Sequence, residues 1–187
     1  YNVKNWSVLD PISKHKLGSN VLQNYGIYIM PDSSWKIRTD NELNMTYGGY
    51  VIFMFACAID WGSRLIRVAC ASSSEAEIAA GCFSGKRAQF IRGFINEMAE
   101  HNILPSTSGA FIYLIDNSGC DGMTANVGVS KKTEHFLRWQ HYLRWLVSHK
   151  YATIIWISTD DETGDMMTKI LPAHTFLKHT KASHGTF

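Results

Sequence analysis

Ala110-Phe111-Ile112-Tyr113-Leu114-Ile115-Asp116-Asn117 is a continuous apolar run that stops abruptly at an acid and an amide. A short unbroken run of this kind, rich in aromatic and β-branched residues, is the signature of a strand buried on both faces. Such strands lie in the middle of a sheet covered by helices, so this stretch predicts an α/β domain with a central sheet. The carboxylate at its end, Asp116, is costly to bury unless it is hydrogen-bonded, solvated or neutralised.

Upstream, three more strand signals follow one another closely. Tyr25–Met30 is β-rich and ends at Pro31-Asp32, a second acid directly after an apolar strand. Gly48-Gly49 precedes the apolar run Tyr50–Ala58, and Arg64–Cys70 follows after the turn residues Asp60-Trp61-Gly62-Ser63. The spacing predicts an antiparallel meander. Ser72-Ser73-Ser74-Glu75 reads as a helix start, a Ser cap with an acid in the first turn. The helix is expected to reach about Asn102, with Ile78, Cys82, Phe90, Ile91, Phe94, Ile95 and Met98 on its apolar side. Gly81, Ser84, Gly85 and Ala88 keep another side small enough for a sheet or ligand to approach.

Downstream, Thr133 to about His149 is helical, with Phe136, Leu143, Leu146 and Val147 on one stripe. Thr153–Ile157 reads as another buried strand, and Gly164–Ile170 as a last helix ended by Pro172. The order β-β-β-α-β-α-β-α predicts a mixed five-stranded sheet, its first three strands antiparallel, flanked by helices. Residues 1–24 read as an N-terminal extension or connecting segment and 25–187 as the domain.

The composition sets outer bounds. The chain has 187 residues, 45% hydrophobic and 18% charged, with a formal net charge of +2. That is a folded domain and not a basic tail that holds nucleic acid by charge alone, although a locally basic face beside an acidic pocket fits within it. The four cysteines, Cys57, Cys70, Cys82 and Cys120, contain no C-x-x-C pair, so buried free thiols are expected in place of a zinc site or a disulfide framework. No apolar stretch approaches a membrane span and no signal peptide is evident. The first residue, Tyr1, suggests a piece of a longer chain.

Two further acids stand where chemistry is plausible: Glu77 in the first turns of the long helix and Asp165 at the opening of the last one. With Asp32 and Asp116 they make a set of hard oxygen donors, the type magnesium prefers. Two such ions roughly 4 Å apart activate a water and stabilise the leaving oxygen of a phosphodiester. Asp40, after Lys36-Ile37-Arg38-Thr39, competes with Asp32 as the first acid. Asp60, Asp121, Asp160, Asp161, Glu75 and Glu162 read as caps and turn residues.

The local strings carry a resemblance. Trp61, Ser63, Arg64, Val68, Ser72, Ser73, Glu75, Ala76 and Glu77 resemble the W-x-S-K/R … V … S-S-T-E-A-E segment of the ribonuclease H of copia-type (pseudovirus) LTR-retrotransposon polyproteins. Asp32-Ser33-Ser34-Trp35, then Asp40 and Gly49-Tyr50, is similar to that family's D-A-D-W … D … G-Y opening, and Asp116-Asn117 to its D-N. Lys132-Thr133-Glu134-His135 with Arg138, His141 and Tyr142 resembles R-T-K-H … R … H-F. Thr159, Asp161, Asp165 and Thr168-Lys169 resemble T-E-D-N-L-A-D-x-x-T-K. The strings run in order from about residue 25 to 180. Ser34, Glu134 and Gly119-Cys120-Asp121 depart from the pattern and leave the four acids intact.

The resemblance implies the ribonuclease H-like fold and hydrolysis of the RNA strand of an RNA–DNA hybrid during reverse transcription. It implies two Mg2+ ions, with Mn2+ as a substitute, on catalytic and metal-binding Asp32, Glu77, Asp116 and Asp165. It also implies an upstream reverse transcriptase in the same polyprotein, and a location in the cytoplasm, a virus-like particle or the nucleus. Ser73, Asn117, Lys131, His135, Arg138 and Trp145 are the expected contacts to the nucleic acid, the last four recurring at helical spacing opposite the apolar stripe. The competing expectation is an inactive or domesticated module of the same fold that binds nucleic acid or a protein. An exonuclease of this fold needs an Asp-x-Glu where Asp32-Ser33-Ser34 stands, and an integrase needs its Glu after the second Asp; neither pattern is met.

Overall fold

The structure, a computed structural model, describes residues 26–35, 46–54, 57–67, 70, 72–104, 107, 109–116 and 136–184. The elements are β1 (Ile27–Ser34), β2 (Thr46–Met54), β3 (Cys57–Ile66), helix α1 (Ser73–Glu100), β4 (Phe111–Ile115), helix α2 (Leu137–Ser148) and β5 (Ala152–Trp156). Two short 3-10 turns (Thr159–Asp161 and Thr163–Met167) and helix α3 (Ala173–Ser183) follow among the described residues. The five strands form one sheet in the order β3-β2-β1-β4-β5. β1 is antiparallel to β2, and β2 to β3. β1 is parallel to β4, and β4 to β5. The mixed sheet and its antiparallel first half are as expected.

Strand alternation divides the core into two layers. Ile27, Ile29, Ile52, Phe111, Tyr113 and Ile115 pack with Ile78, Ala88 and Ile95 of α1 and with Leu143 and Leu146 of α2. Tyr28, Met30, Val51, Phe53, Ile112 and Leu114 face the other way, toward Ile157, Met166 and Met167. This parity sets the site. Continued along β1, it turns Ser33 to the α1 layer and Asp32 to the layer of the 3-10 turns.

Several boundaries differ from the sequence expectation. β1 does not stop at Pro31-Asp32 but runs to Ser34. Its ladder with β4 covers only Tyr28 and Ile29, so Pro31 lies where β1 is an edge on that side and a residue without N–H is tolerated. The residues Asp60–Ser63 lie inside β3 and make no turn; the connection falls after Met54. β3 is an edge strand with a register shift opposite Ile52/Phe53, and Asp60 is anchored there by Arg87 at 2.6 Å and by the Tyr50 hydroxyl at 3.1 Å. β5 is the other edge, with Thr153 and Trp156 exposed, and is not a buried strand.

Helix α1 begins as expected: the Ser72 side chain accepts from the Glu75 N–H. Its packed side joins Ile78, Cys82 and Ile95 of the expected apolar side to the small residues. Phe90 and Phe94 are exposed, whereas Gly81, Ser84, Gly85 and Ala88 are buried. The reason is Tyr113 on β4, whose hydroxyl donates to the Gly81 carbonyl at 2.7 Å and fills the space a Cβ on Gly85 would need. Pro172 starts α3 as its N-cap and does not end a helix; Asp165 lies in a 3-10 turn. Of the described cysteines, which are free thiols, only Cys82 is buried; Cys57 is exposed and Cys70 intermediate. Residues 1–24, Lys36–Asp40 and Cys120 lie outside the described residues.

Candidate active site

The acids gather where the C-terminal ends of β1 and β4 lie side by side, a position at which open α/β sheets form their sites. Asp32, on β1, is 1% exposed. Its Oδ1 accepts from Lys169 Nζ at 3.0 Å, and its Oδ2 from the Thr168 hydroxyl. The same Lys169 ammonium donates to Asp165 Oδ1 at 2.7 Å, an i,i+4 pair. Lys169 thus ties the first and the last acid together. Gly49, opposite Asp32 in the β1–β2 ladder, makes this approach possible: a Cβ there would stand 2.5 Å from Met167 Cβ and 2.8 Å from Thr168 Cγ2.

On the other face of β1, the Ser33 hydroxyl donates to Glu77 Oε1 at 2.7 Å. Consecutive residues of one strand therefore reach both layers, Asp32 toward Asp165 and Ser33 toward Glu77. Asp116 follows the last residue of β4, half-buried, and its backbone carbonyl accepts from Trp156 Nε1 at 2.9 Å.

The electrostatics link these groups. Burial pushes Asp32 up to about 6, against the opposing pull of the Lys169 ammonium and the Thr168 hydroxyl. Burial pushes Glu77 up to about 8, and the Asp32 and Asp116 charges add to it. A fifth carboxyl, Glu162, caps the second 3-10 turn, as its reading as a cap or turn residue allows, and is also fully buried. Its Oε1 accepts from the Gly164 N–H at 2.9 Å, whereas Oε2 has no partner. Burial, then the Asp32 and Asp116 charges, raise it well above the ordinary glutamate range. For Lys169, burial alone would lower the ammonium, but Asp32 and Asp165 outweigh it and hold it above its usual value.

Among the described residues no three His, Cys, Asp or Glu side chains converge tightly enough to hold one ion as they lie. The donor chemistry nevertheless fits hard divalent cations: oxygen donors on buried carboxylates, with one oxygen of Glu162 without a partner. Asp32, Glu77, Asp116 and Asp165 are the residues that would hold such ions.

A pH dependence follows. An acid whose pKa is higher in the folded than in the unfolded chain binds more protons when folded, so stability falls as pH rises between the two values. For Asp32 that window runs from 3.8 to about 6, and for Glu77 from 4.5 to about 8. The metal-free protein is expected to lose on the order of 3 kcal/mol between about pH 5 and pH 8, and magnesium should restore most of this at the upper end. Urea unfolding at both pH values, with EDTA or Mg2+, checks it; stability that is flat or rises with pH contradicts it.

The expected nucleic-acid contacts separate. Ser73 is exposed at the first turn of α1, one turn before Glu77. Arg138 is exposed in the first turn of α2, the end of that helix nearer the acids. Trp145 is not brought to the site. It packs on Tyr151 and His149, with ring centroids 5.1 and 5.0 Å away, and Tyr151 bonds to Phe111 at the start of β4, the end opposite Asp116. Asn117, Lys131 and His135, and the alternative acid Asp40, lie outside the described residues. Sequence reading assigned no role to Lys169, although the four-residue step from Asp165 was its signal, nor to Glu162, for which spacing gave none.

No protein-family model matches the chain. In structure it is similar to LC11-RNase H1, isolated from compost by a metagenomic approach, with a TM-score of 0.52, 14% identity and coverage of 76% of this chain and 92% of that one. It is likewise similar to LC11-RNase H1 crystallised in complex with an RNA/DNA hybrid, with a TM-score of 0.52, 10% identity and coverage of 75% and 92%. The fold is that of ribonuclease H.

In sequence the chain is similar to the retrovirus-related Pol polyprotein from transposon TNT 1-94 of Nicotiana tabacum, 26% identical over 137 residues, which is 73% of this chain and 10% of that polyprotein. It is also similar to the Pol polyprotein from transposon RE2 of Arabidopsis thaliana, 22% identical over 181 residues, 91% of this chain and 12% of the relative. Its homologues are thus retrovirus-related Pol polyproteins of plant copia-type transposons, and the chain spans about a tenth of their length.

Proposed function

We propose that the protein is the ribonuclease H unit of a retrotransposon Pol polyprotein and hydrolyses the RNA strand of RNA–DNA hybrids with two divalent cations. The reading is supported by a ribonuclease H fold in which Lys169 ties Asp32 to Asp165 and Ser33, the next residue of the same strand, holds Glu77, with Asp116 at the end of the neighbouring strand. When bound, magnesium or manganese supplies the charge that activates water and stabilises the leaving oxygen. The chain's own contribution is to orient the carboxylates: Ser33 fixes Glu77, and Thr168 with Lys169 fixes Asp32.

Ser73 and Arg138 are the described residues offered as contacts to the hybrid; Asn117, Lys131 and His135 are the others. Hybrids are recognised by groove shape and 2′-hydroxyls, and phosphate contacts make affinity salt-dependent. The partner protein is a reverse transcriptase in the same polyprotein. The corresponding location is the cytoplasm, a virus-like particle or the nucleus. Among the described residues no helix is long and apolar enough to cross a membrane.

One observation favours a second reading, a non-catalytic module of this fold. Both oxygens of Asp32 are already engaged by Thr168 and Lys169. Incubation with an end-labelled RNA–DNA hybrid decides between them. The nuclease reading expects internal RNA cuts that require Mg2+ or Mn2+, with the DNA strand and an RNA–RNA duplex left whole. Binding of the hybrid without cleavage under either metal overturns it in favour of the module.

A further inference from the structure

The ammonium of Lys169 stands between two of the acids on which the proposed reaction depends. It lies 3.0 Å from Asp32 Oδ1 and 2.7 Å from Asp165 Oδ1. Asp32 itself is 1% exposed, but the Lys169 side chain is 31% exposed, so this cation has a way out to solvent that its partner lacks. A lysine head is a compact point charge on a flexible four-carbon stem, able both to fill the place of a cation and to leave it. A divalent ion drawing on the same two carboxylates would sit within a few ångströms of a like charge, where repulsion at protein dielectric is strong. The doubly charged ion has the larger attraction to the carboxylates, so the ammonium yields.

We propose that Lys169 is a built-in counter-ion of the carboxylate cluster, which neutralises Asp32 and Asp165 until a divalent cation displaces it and so sets the metal concentration at which the cluster fills. This rests on the nuclease reading of the same site. Lys169 acts through the two acids and is a positioning residue. Its removal leaves the cluster more negative, so metal binds more tightly while the metal-free fold weakens.

The test is calorimetric titration of the 187-residue chain with MgCl2, wild type against Lys169→Met and Lys169→Arg. Lys169→Met should lower the Mg2+ Kd about tenfold or more, and Lys169→Arg, which keeps the charge, should return it toward wild type. A second measurement needs no variant: acetylation of Lys169 in the wild-type protein, read by mass spectrometry against the other lysines, should be several-fold faster with Mg2+ than with EDTA. Equal or weaker Mg2+ affinity in Lys169→Met, equally tight binding in Lys169→Arg, or acetylation indifferent to Mg2+ overturns the counter-ion while leaving the nuclease reading standing. No Mg2+ or Mn2+ uptake by the wild type overturns both.

Discussion

Asp116→Asn is expected to slow metal-dependent cleavage of an RNA–DNA hybrid by roughly a thousandfold, about 4 kcal/mol of barrier, with the fold intact. Asp116 isolates the chemistry better than Asp32. The Asp32 carboxylate holds Thr168 and Lys169, so replacing it loosens the 3-10 segment as well as removing a ligand. The structural bond of Asp116 is made by its backbone carbonyl, which accepts from Trp156 Nε1 at 2.9 Å. Asparagine keeps that carbonyl and nearly the same side-chain shape while losing the charge. Single-turnover cleavage rates, with urea midpoints as the control for folding, read the two effects separately. A variant that cleaves like wild type removes Asp116 from the mechanism.

Among the substitutions considered, the largest loss of stability is expected at Gly85. In an exposed helix, glycine to alanine gains up to about 1 kcal/mol from backbone entropy. Gly93 is such a place, with nothing within 4 Å of an added Cβ, and Gly93→Ala should stabilise the protein by that amount. At Gly85 the added carbon would fall on the hydroxyl of Tyr113, a residue 2% exposed whose O–H donates to the Gly81 carbonyl. The ring has nowhere to go in the core between α1 and β4, and moving it leaves a buried hydroxyl unpaired. Gly85→Ala should therefore cost about 2–3 kcal/mol despite the better helix former. Urea unfolding of the two variants side by side checks the contrast; equal effects would mean that the helix does not approach the sheet as closely as this packing requires.

The fold was readable in sequence wherever local chemistry and tertiary environment agree. The apolar run Phe111–Ile115 is a fully buried strand, and Ser72 caps the long helix from the position its side chain suggested. The reading failed where a tertiary partner overrides the local signal. Asp60 and Gly62 look like a turn but lie in an edge strand because Arg87 and Tyr50 hold Asp60. Phe90 and Phe94 look like core, yet the sheet approaches the glycine side of α1, because only there can Tyr113 come close. Pro172 marks a helix boundary in either reading, and only the packed structure shows that it begins α3.

The site follows the same division. Sequence pattern picks out Asp32, Glu77, Asp116 and Asp165 as acids that follow apolar runs or open helical ones, although β1 continues past Asp32 and Asp165 lies within a 3-10 turn. Their coupling through Ser33, Thr168 and Lys169 comes from the parity of β1 and the close approach at Gly49, neither of which has a local signature. Glu162 is buried beside the charges of Asp32 and Asp116 by the 3-10 turns, and its neighbours in sequence do not announce it. Trp145 shows the converse: helical spacing groups it with Arg138, but seven residues along a helix is about 10 Å, and its rings of contact are at the far end of the sheet.

Anomalous diffraction from crystals grown in MnCl2 examines the central proposal most directly, because it locates the ions without reference to activity. Two manganese peaks about 4 Å apart, contacted by oxygens of Asp32, Glu77, Asp116 and Asp165 with the Lys169 ammonium moved aside, are the expected result. Manganese bound elsewhere, or absent at saturating concentration while Lys169 still bridges Asp32 and Asp165, would contradict it.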